Sequence, residues 1–219
     1  MNPFDKYADD YDQWFDSPGG RSIFLDEVSC LRELIPEVKG HWLEIGVGTG
    51  RFAEALGIQE GVDPSEAVLQ LAANRGVRTC RACGEALPYP DRTFDGLLMV
   101  MTICFLSDPQ QTLRECFRVL RNDGCLIVGF VPADSLWGRV YARKAREGHP
   151  FYSAARFYTR EEVVHSAREA GFVLATARSC SFRSPGEPDS RSSPQQGTAA
   201  GAGFVAVKFS KNDPASAGS

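Results

Sequence analysis

No apolar run in this chain is long enough to cross a bilayer. The longest, from Leu97 to Leu106, is interrupted by Thr102 and covers about half of a helical span. The amino terminus, MNPFDKYADDYD, lacks the basic-then-apolar order of an export signal. Positive charge is not in excess either: 24 Lys and Arg against 28 Asp and Glu leave a net charge of −4, which argues against a nucleic-acid partner. The 7 cysteines are odd in number and follow no framework spacing, so they read as reduced thiols of a cytoplasmic protein rather than a disulfide scaffold. Cys80 and Cys83 form a C-x-x-C pair with no second pair to complete a zinc site, and no metal is expected. Internal repeats are absent.

What remains is an alternating pattern. Phe4, Tyr7, Tyr11, Trp14 and Phe15 recur at helical spacing until Ser17-Pro18-Gly19-Gly20 breaks the run. A second helix carries Phe24, Val28, Leu31 and Ile35 on one face and closes at Pro36. Short apolar strands follow at 41–45, 58–62 and 77–82, separated by helical stretches near 52 and 64–73. Phe94 to Val100 is continuously apolar, as in a strand buried on both faces of a parallel sheet. A helix with Leu113, Cys116, Phe117 and Leu120 on one face leads through Asn122-Asp123-Gly124 into a strand from Cys125 to Val131. After a mixed segment, Thr159 and Glu162 spell a capping box. Gly171 ends that helix, and two last strands cover 172–178 and 204–209. Strand and helix in alternation with short connections predict an α/β doubly wound sheet.

The chemistry concentrates at Leu43-Glu44-Ile45-Gly46-Val47-Gly48-Thr49-Gly50, a strand running into glycine-rich sequence and then a helix. Such a loop lets backbone approach a ligand beyond the carboxyl ends of the strands. The spacing is not that of a dinucleotide fingerprint, because position 51 is Arg and Glu44 stands two residues before the first glycine. A carboxylate there suits a cation or ammonium better than a pyrophosphate. Asp63 ends the next strand, where it could accept bonds from both ribose hydroxyls. Its ordinary reading is a helix N-cap before Pro64.

LEIGVGTG, GVDPS, CGEALPYPDRTFDGLLMV and LRECFRVLRNDGCLIVGF resemble, in order and spacing, the motifs of class I S-adenosylmethionine-dependent methyltransferases. They are most similar to the type-11 small-molecule subset that includes the ubiquinone/menaquinone C-methyltransferases. FYTREEVVHSAREAGF resembles that subset's late helix and strand. The resemblance implies a Rossmann-like, seven-stranded sheet with its last strand antiparallel, in a single domain over residues 1–210. Within it, residues 1–36 would form a helical lid and 132–158 a substrate-side cover, while the Ser-, Pro- and Gly-rich composition of 184–203 reads as a flexible loop and 211–219 as a disordered tail. The implied cofactor is S-adenosylmethionine, leaving as S-adenosylhomocysteine.

By the same resemblance, Glu44 and the Gly46, Gly48 and Gly50 backbone would face the methionine end of the cofactor, and Asp63 the ribose. Pro64 and Ser65 would lie alongside the adenine, with Cys83, Gly84 and Glu85 at its edge. Cys83 stands where the family usually has Asp, a weaker partner for an exocyclic amine. Met101 and Thr102 would pass under the sulfonium. Tyr11, ahead of Tyr7, is the aromatic candidate beside it, through cation–π attraction. His149 in Gly148-His149-Pro150 is the candidate base, against the ordinary reading of a surface loop histidine.

The expected reaction is in-line transfer of methyl to a small-molecule acceptor, for which positioning does most of the work. The acceptor would be acidic if Arg139, Arg143, Lys144 and Arg146 clamp it, although such a run is ordinarily a solvated face. Other readings are an inactive scaffold or sensor that binds the cofactor, an arsenite or thiol methyltransferase using Cys104 and Cys180, and an NAD(P)-dependent oxidoreductase. Acceptor atom and oligomeric state are not legible.

Overall fold

A computed structural model describes residues 3–35, 37–185, 187 and 193–211. Pro36, part of the 184–203 segment and the tail after 211 lie outside the described residues. The amino-terminal aromatic segment forms two short helices rather than one, α1 (Pro3–Lys6) and α2 (Ala8–Trp14), because Tyr7 leaves helical geometry at φ −125° and ψ 33°. The next helix, α3 (Pro18–Arg32), begins inside the sequence that looked like a break. Ser17 caps it by accepting from Gly20 N at 3.2 Å, and Pro18 sits in the first turn, where its missing N–H costs nothing.

Strand and helix then alternate as expected: β1 (Trp42–Ile45), α4 (Arg51–Leu56), β2 (Glu60–Asp63), α5 (Glu66–Asn74), β3 (Arg78–Arg81), β4 (Phe94–Val100), α6 (Pro109–Val119) and β5 (Leu120–Phe130). Against β4, the register of β5 jumps from Leu120 opposite Phe94 to Cys125 opposite Gly96. Asn122-Asp123-Gly124 is therefore not a turn ahead of a strand starting at Cys125, as its sequence suggests; it lies inside β5, where the pairing with β4 is irregular. The mixed segment yields α7 (Leu136–Arg146), capped by Ser135 accepting from Gly138 N at 2.9 Å. The capping box opens α8 (Arg160–Glu169), with Thr159 N donating to Glu162 at 2.7 Å and Glu162 N donating back to Thr159 at 3.2 Å. β6 (Phe172–Cys180), a two-residue β7 (Gln195–Gln196) within the segment read as a loop, and β8 (Phe204–Lys211) complete the order.

The strands form one sheet in the order β3-β2-β1-β4-β5-β8-β6-β7. β1 to β5 are parallel, and β8 inserts antiparallel between β5 and β6. The fold is therefore the expected Rossmann-like doubly wound sheet with its last strand antiparallel, extended at the edge by β7. The alternation along β4 shows why its sequence is apolar throughout. Leu97 and Met99 join a core with Leu113, Val128 and Phe172 on one side; Leu98 and Val100 join another with Leu31, Ile127 and Phe204. Each such side chain contributes about 1.5–3 kcal/mol on burial. β1 lies where the order reverses between β2 and β4, so a crevice opens beyond the carboxyl ends of these strands.

Candidate cofactor cradle and acceptor chamber

The loop after β1 is set by backbone. Gly46 N and Val47 N donate to Val62 O at 2.8 and 3.0 Å, which stitches the loop to β2. Gly46, Gly48 and Gly50 all hold positive φ, at 69°, 51° and 82°, a conformation natural to glycine. Their surroundings differ. A Cβ at 46 would collide with the Thr102 side chain, and one at 50 would lie 2.9 Å from Ala72 Cα. At 48 it would meet only the Tyr11 ring, at 3.9 Å. Gly48 thus faces open space roofed by Tyr11, whereas Gly46 and Gly50 are packed.

Glu44 and Asp63 flank this space. Glu44 is 1% exposed, and its Oε2 has no hydrogen-bond partner among the described residues. Burial lifts its carboxyl well above the ordinary value, against the Ala53 backbone N–H and with a further push from Asp63. Asp63 does not cap α5 as its position before Pro64 suggests. The N-cap position belongs to Ser65, and the Asp63 carboxylate accepts Ser65 N at 2.9 Å and Gly48 N at 3.1 Å, tying β2 to the glycine loop. Burial raises the pKa of Asp63 against those two bonds.

The other expected cofactor residues are distributed around the crevice. Thr102 Oγ1 donates within reach of Gly46 O (3.2 Å) and Val100 O (2.9 Å). Met101, next to it, holds positive φ at 55°. Pro64 is exposed and its carbonyl accepts from Arg81. Ser65 is buried and donates to Asp5 of α1 at 2.6 Å. Cys83 is exposed and Gly84 is packed on Thr112. Glu85 accepts from Ser107 N and Asp108 N at 3.0 and 3.2 Å, bracing the start of α6.

Helices α1 and α2 roof the crevice, and Arg51 anchors them. The residue that spoils the dinucleotide fingerprint donates from Nε and Nη2 to the Asp12 carboxylate at 2.9 Å each and to Asp16 at 2.6–2.8 Å. Arg75 reaches the same Asp12 at 2.8 Å. Burial alone would raise Asp12, but the bonds from Arg51 and Arg75 outweigh it and hold its carboxyl at about 2.

Beneath this roof, next to Met101, lies a chamber of about 370 Å³ with a largely aromatic wall, within the size range of small-molecule sites. Tyr11 stands between it and Gly48, packed edge-on against Phe4 and Phe15 at 5.4 and 5.3 Å. Both candidates for chemistry border it, Tyr11 and His149. His149 stacks on Tyr152 at 4.3 Å, and Tyr152 on Tyr141 at 4.4 Å. Burial, then Lys144, lowers the His149 pKa, and its Nδ1 has no partner among the described residues. Tyr7 does not line the chamber. Of the basic cluster only Lys144 does; Arg139, Arg143 and Arg146 are exposed on α7. Cys104 lines it, its thiol pushed up to about 12 by burial, but Cys180 is buried against Ser181 and does not.

Several lining residues escape the sequence reading, Glu27 foremost. Glu27 of α3 is 3% exposed and borders the chamber. The available sign was its place three residues after Phe24 and four before Leu31, on the apolar face of its helix. Tyr141 and Tyr152 escaped as well, because α7 and the turn after it bring them together only in the fold.

A doubly wound sheet with a glycine cradle at its switch point, acids ending β1 and β2, and a helical roof defines the S-adenosylmethionine-dependent methyltransferase class of α/β proteins. The comparisons agree. The type-11 methyltransferase-domain family model matches residues 43–128. An uncharacterized protein of Mycobacterium tuberculosis is 44% identical over 199 residues, covering 90% of this chain and 70% of its own. One from Methanocaldococcus jannaschii is 38% identical over 211 residues, covering 96% and 100%. The crystal structure of a Thermotoga maritima protein described as a SAM-dependent methyltransferase, possible histamine N-methyltransferase, matches with a TM-score of 0.89 and 38% identity over 96% of this chain and 98% of that one. The chain belongs to the class I S-adenosylmethionine-dependent methyltransferases of type 11.

Proposed function

We propose that the chain transfers a methyl group from S-adenosylmethionine to a small molecule held in the aromatic chamber. The observation that carries this reading is Glu44: a buried carboxylate oxygen without a donor, at the end of β1, beside a glycine loop open at Gly48. A cationic ligand group resolves that deficit, and a pyrophosphate would worsen it. The cofactor, when bound, supplies a methyl group activated by a sulfonium.

The protein's own contribution is placement. Glu44 and the loop backbone would take the ammonium and carboxylate of the methionine end. Asp63, already fixed by Gly48 N and Ser65 N, would direct its free lone pairs to the ribose. Pro64 and Ser65 would flank the adenine, with Cys83, Gly84 and Glu85 along its edge. Met101 and Thr102 would floor the site. Tyr11, packed between cradle and chamber, would shield the reacting centre from water, and residues 1–36 would act as the lid that Asp12 latches. His149 is kept neutral by its lowered pKa and so could accept a proton from the acceptor at pH 7.

Titration calorimetry of S-adenosylmethionine, S-adenosylhomocysteine and NAD tests this reading. Micromolar binding of the first two and none of NAD is expected. Binding of NAD alone would return the chain to the oxidoreductases, and cofactor binding without turnover on any acceptor would make it a scaffold.

A further inference from the structure

The chamber chemistry points past the methyl donor to the acceptor. Glu27 is almost wholly buried, yet no hydrogen bond to its carboxylate occurs among the described residues. A buried carboxylate without a donor is retained against a steep cost unless a ligand supplies one. Tyr11, Tyr141 and Tyr152 line the same chamber, and after burial the charge of Glu27 is among the causes that raise the pKa of each. No Lys or Arg side chain is buried in the lining. Lys144, its one permanent cation, is exposed, as is Asp10. Arg183 acts on Tyr141 but does not line the chamber, and His149 is held neutral. An acidic acceptor would find no buried cation here, whereas an ammonium finds a carboxylate and π faces.

We propose that the acceptor is a small amine with an aromatic or apolar body, its protonated nitrogen held by the Glu27 carboxylate among the rings of Tyr11, Tyr141 and Tyr152. This inference rests on the methyl-transfer reading above and names its substrate class. Tyr11 relates the two halves of the site. It lines the chamber together with Glu27, and its ring lies over Gly48, so it borders both the acceptor chamber and the cofactor cradle. Burial first, with Cys180 and Asp26 adding to it, pushes the Glu27 carboxyl toward its protonated form. A bound ammonium displaces that proton to solvent and pairs with the carboxylate. Return of one ammonium proton to Glu27 then leaves the amine nitrogen with a free lone pair.

The test is binding rather than turnover. One- and two-ring arylalkylamines, with their matched alcohols and carboxylates, are titrated into the protein with and without S-adenosylhomocysteine, in buffers of different ionisation enthalpy. We expect at least one amine to bind about tenfold or more tighter than its alcohol and to release a proton. Glu27→Gln should erase both effects while leaving S-adenosylhomocysteine affinity unchanged. Carboxylates outbinding amines, no amine binding, or an amine preference that survives Glu27→Gln would overturn the proposal. If that variant does not fold, the wild-type preference for benzyltrimethylammonium over its uncharged neopentylbenzene isostere decides. Cofactor affinity, measured separately, tells the two readings apart. Loss of amine preference with S-adenosylhomocysteine still bound sinks only the acceptor class, and amine binding without it sinks only the methyl donor.

Discussion

Asp63 and Glu44 are both buried acids at strand ends, yet they are held differently, and the difference is measurable. Asp63 accepts two backbone N–H groups that shape the glycine loop. Asp63→Ala should therefore weaken S-adenosylmethionine binding tenfold or more, about what a lost charge-assisted bond implies, and also lower the melting temperature. Unchanged affinity would remove Asp63 from the ribose role. Glu44 has an oxygen that nothing in the described protein satisfies, so Glu44→Gln should cut affinity by about tenfold without lowering stability. The pH dependence follows from direction. A carboxyl raised in the fold contributes stability that is fully present below its ordinary 4.5 and lost as pH rises through the folded value. Melting curves should thus show Glu44→Gln gaining on wild type as pH rises from 5 to 8.

At the scale of elements, the latch between α2 and the start of α4 decides whether the site is roofed. Asp12 meets both Arg51 and Arg75 with its side chain 15% exposed, so solvent screens these pairs less than surface ones. Asp12→Ala should cost about 1–3 kcal/mol, with faster amide exchange across α1 and α2 while the sheet stays protected. Because Asp12 is held at about 2, below its ordinary 3.8, its contribution is present above 3.8 and fades as pH falls toward 2. Wild type and variant should therefore converge in stability on acidification; a constant gap would deny the latch its charge. Arg51 was legible only as a departure from the dinucleotide spacing, since its partners lie 39 and 35 residues away.

For the whole molecule, ligand linkage gives the broadest check. S-adenosylhomocysteine at a hundredfold excess over its Kd should add about 2.7 kcal/mol, a rise of roughly 5–10 °C in melting temperature for a chain of this length. NAD should produce none. A rise with NAD and none with S-adenosylhomocysteine would contradict the cradle. The same scale explains why the chamber was hidden from the sequence. It is walled by α2, α3, α7 and the turns after β4 and α7, which meet only when the sheet has brought their ends to one edge.

By itself, the sequence determined the sheet and the cradle. Both rest on local or periodic information: apolar runs that must be buried on two faces, glycines that alone tolerate positive φ, and acids that end strands where a crevice must open. It carried the capping box of α8 for the same reason. Tertiary structure alone decided that Asp63 holds the loop rather than the helix, that Arg51 pins α2 through Asp12 and Asp16, and that Glu27 borders an aromatic chamber instead of packing as an anomaly on an apolar helix face. Those outcomes depend on which side chains long-range packing sets against each other, and neither spacing nor propensity encodes that.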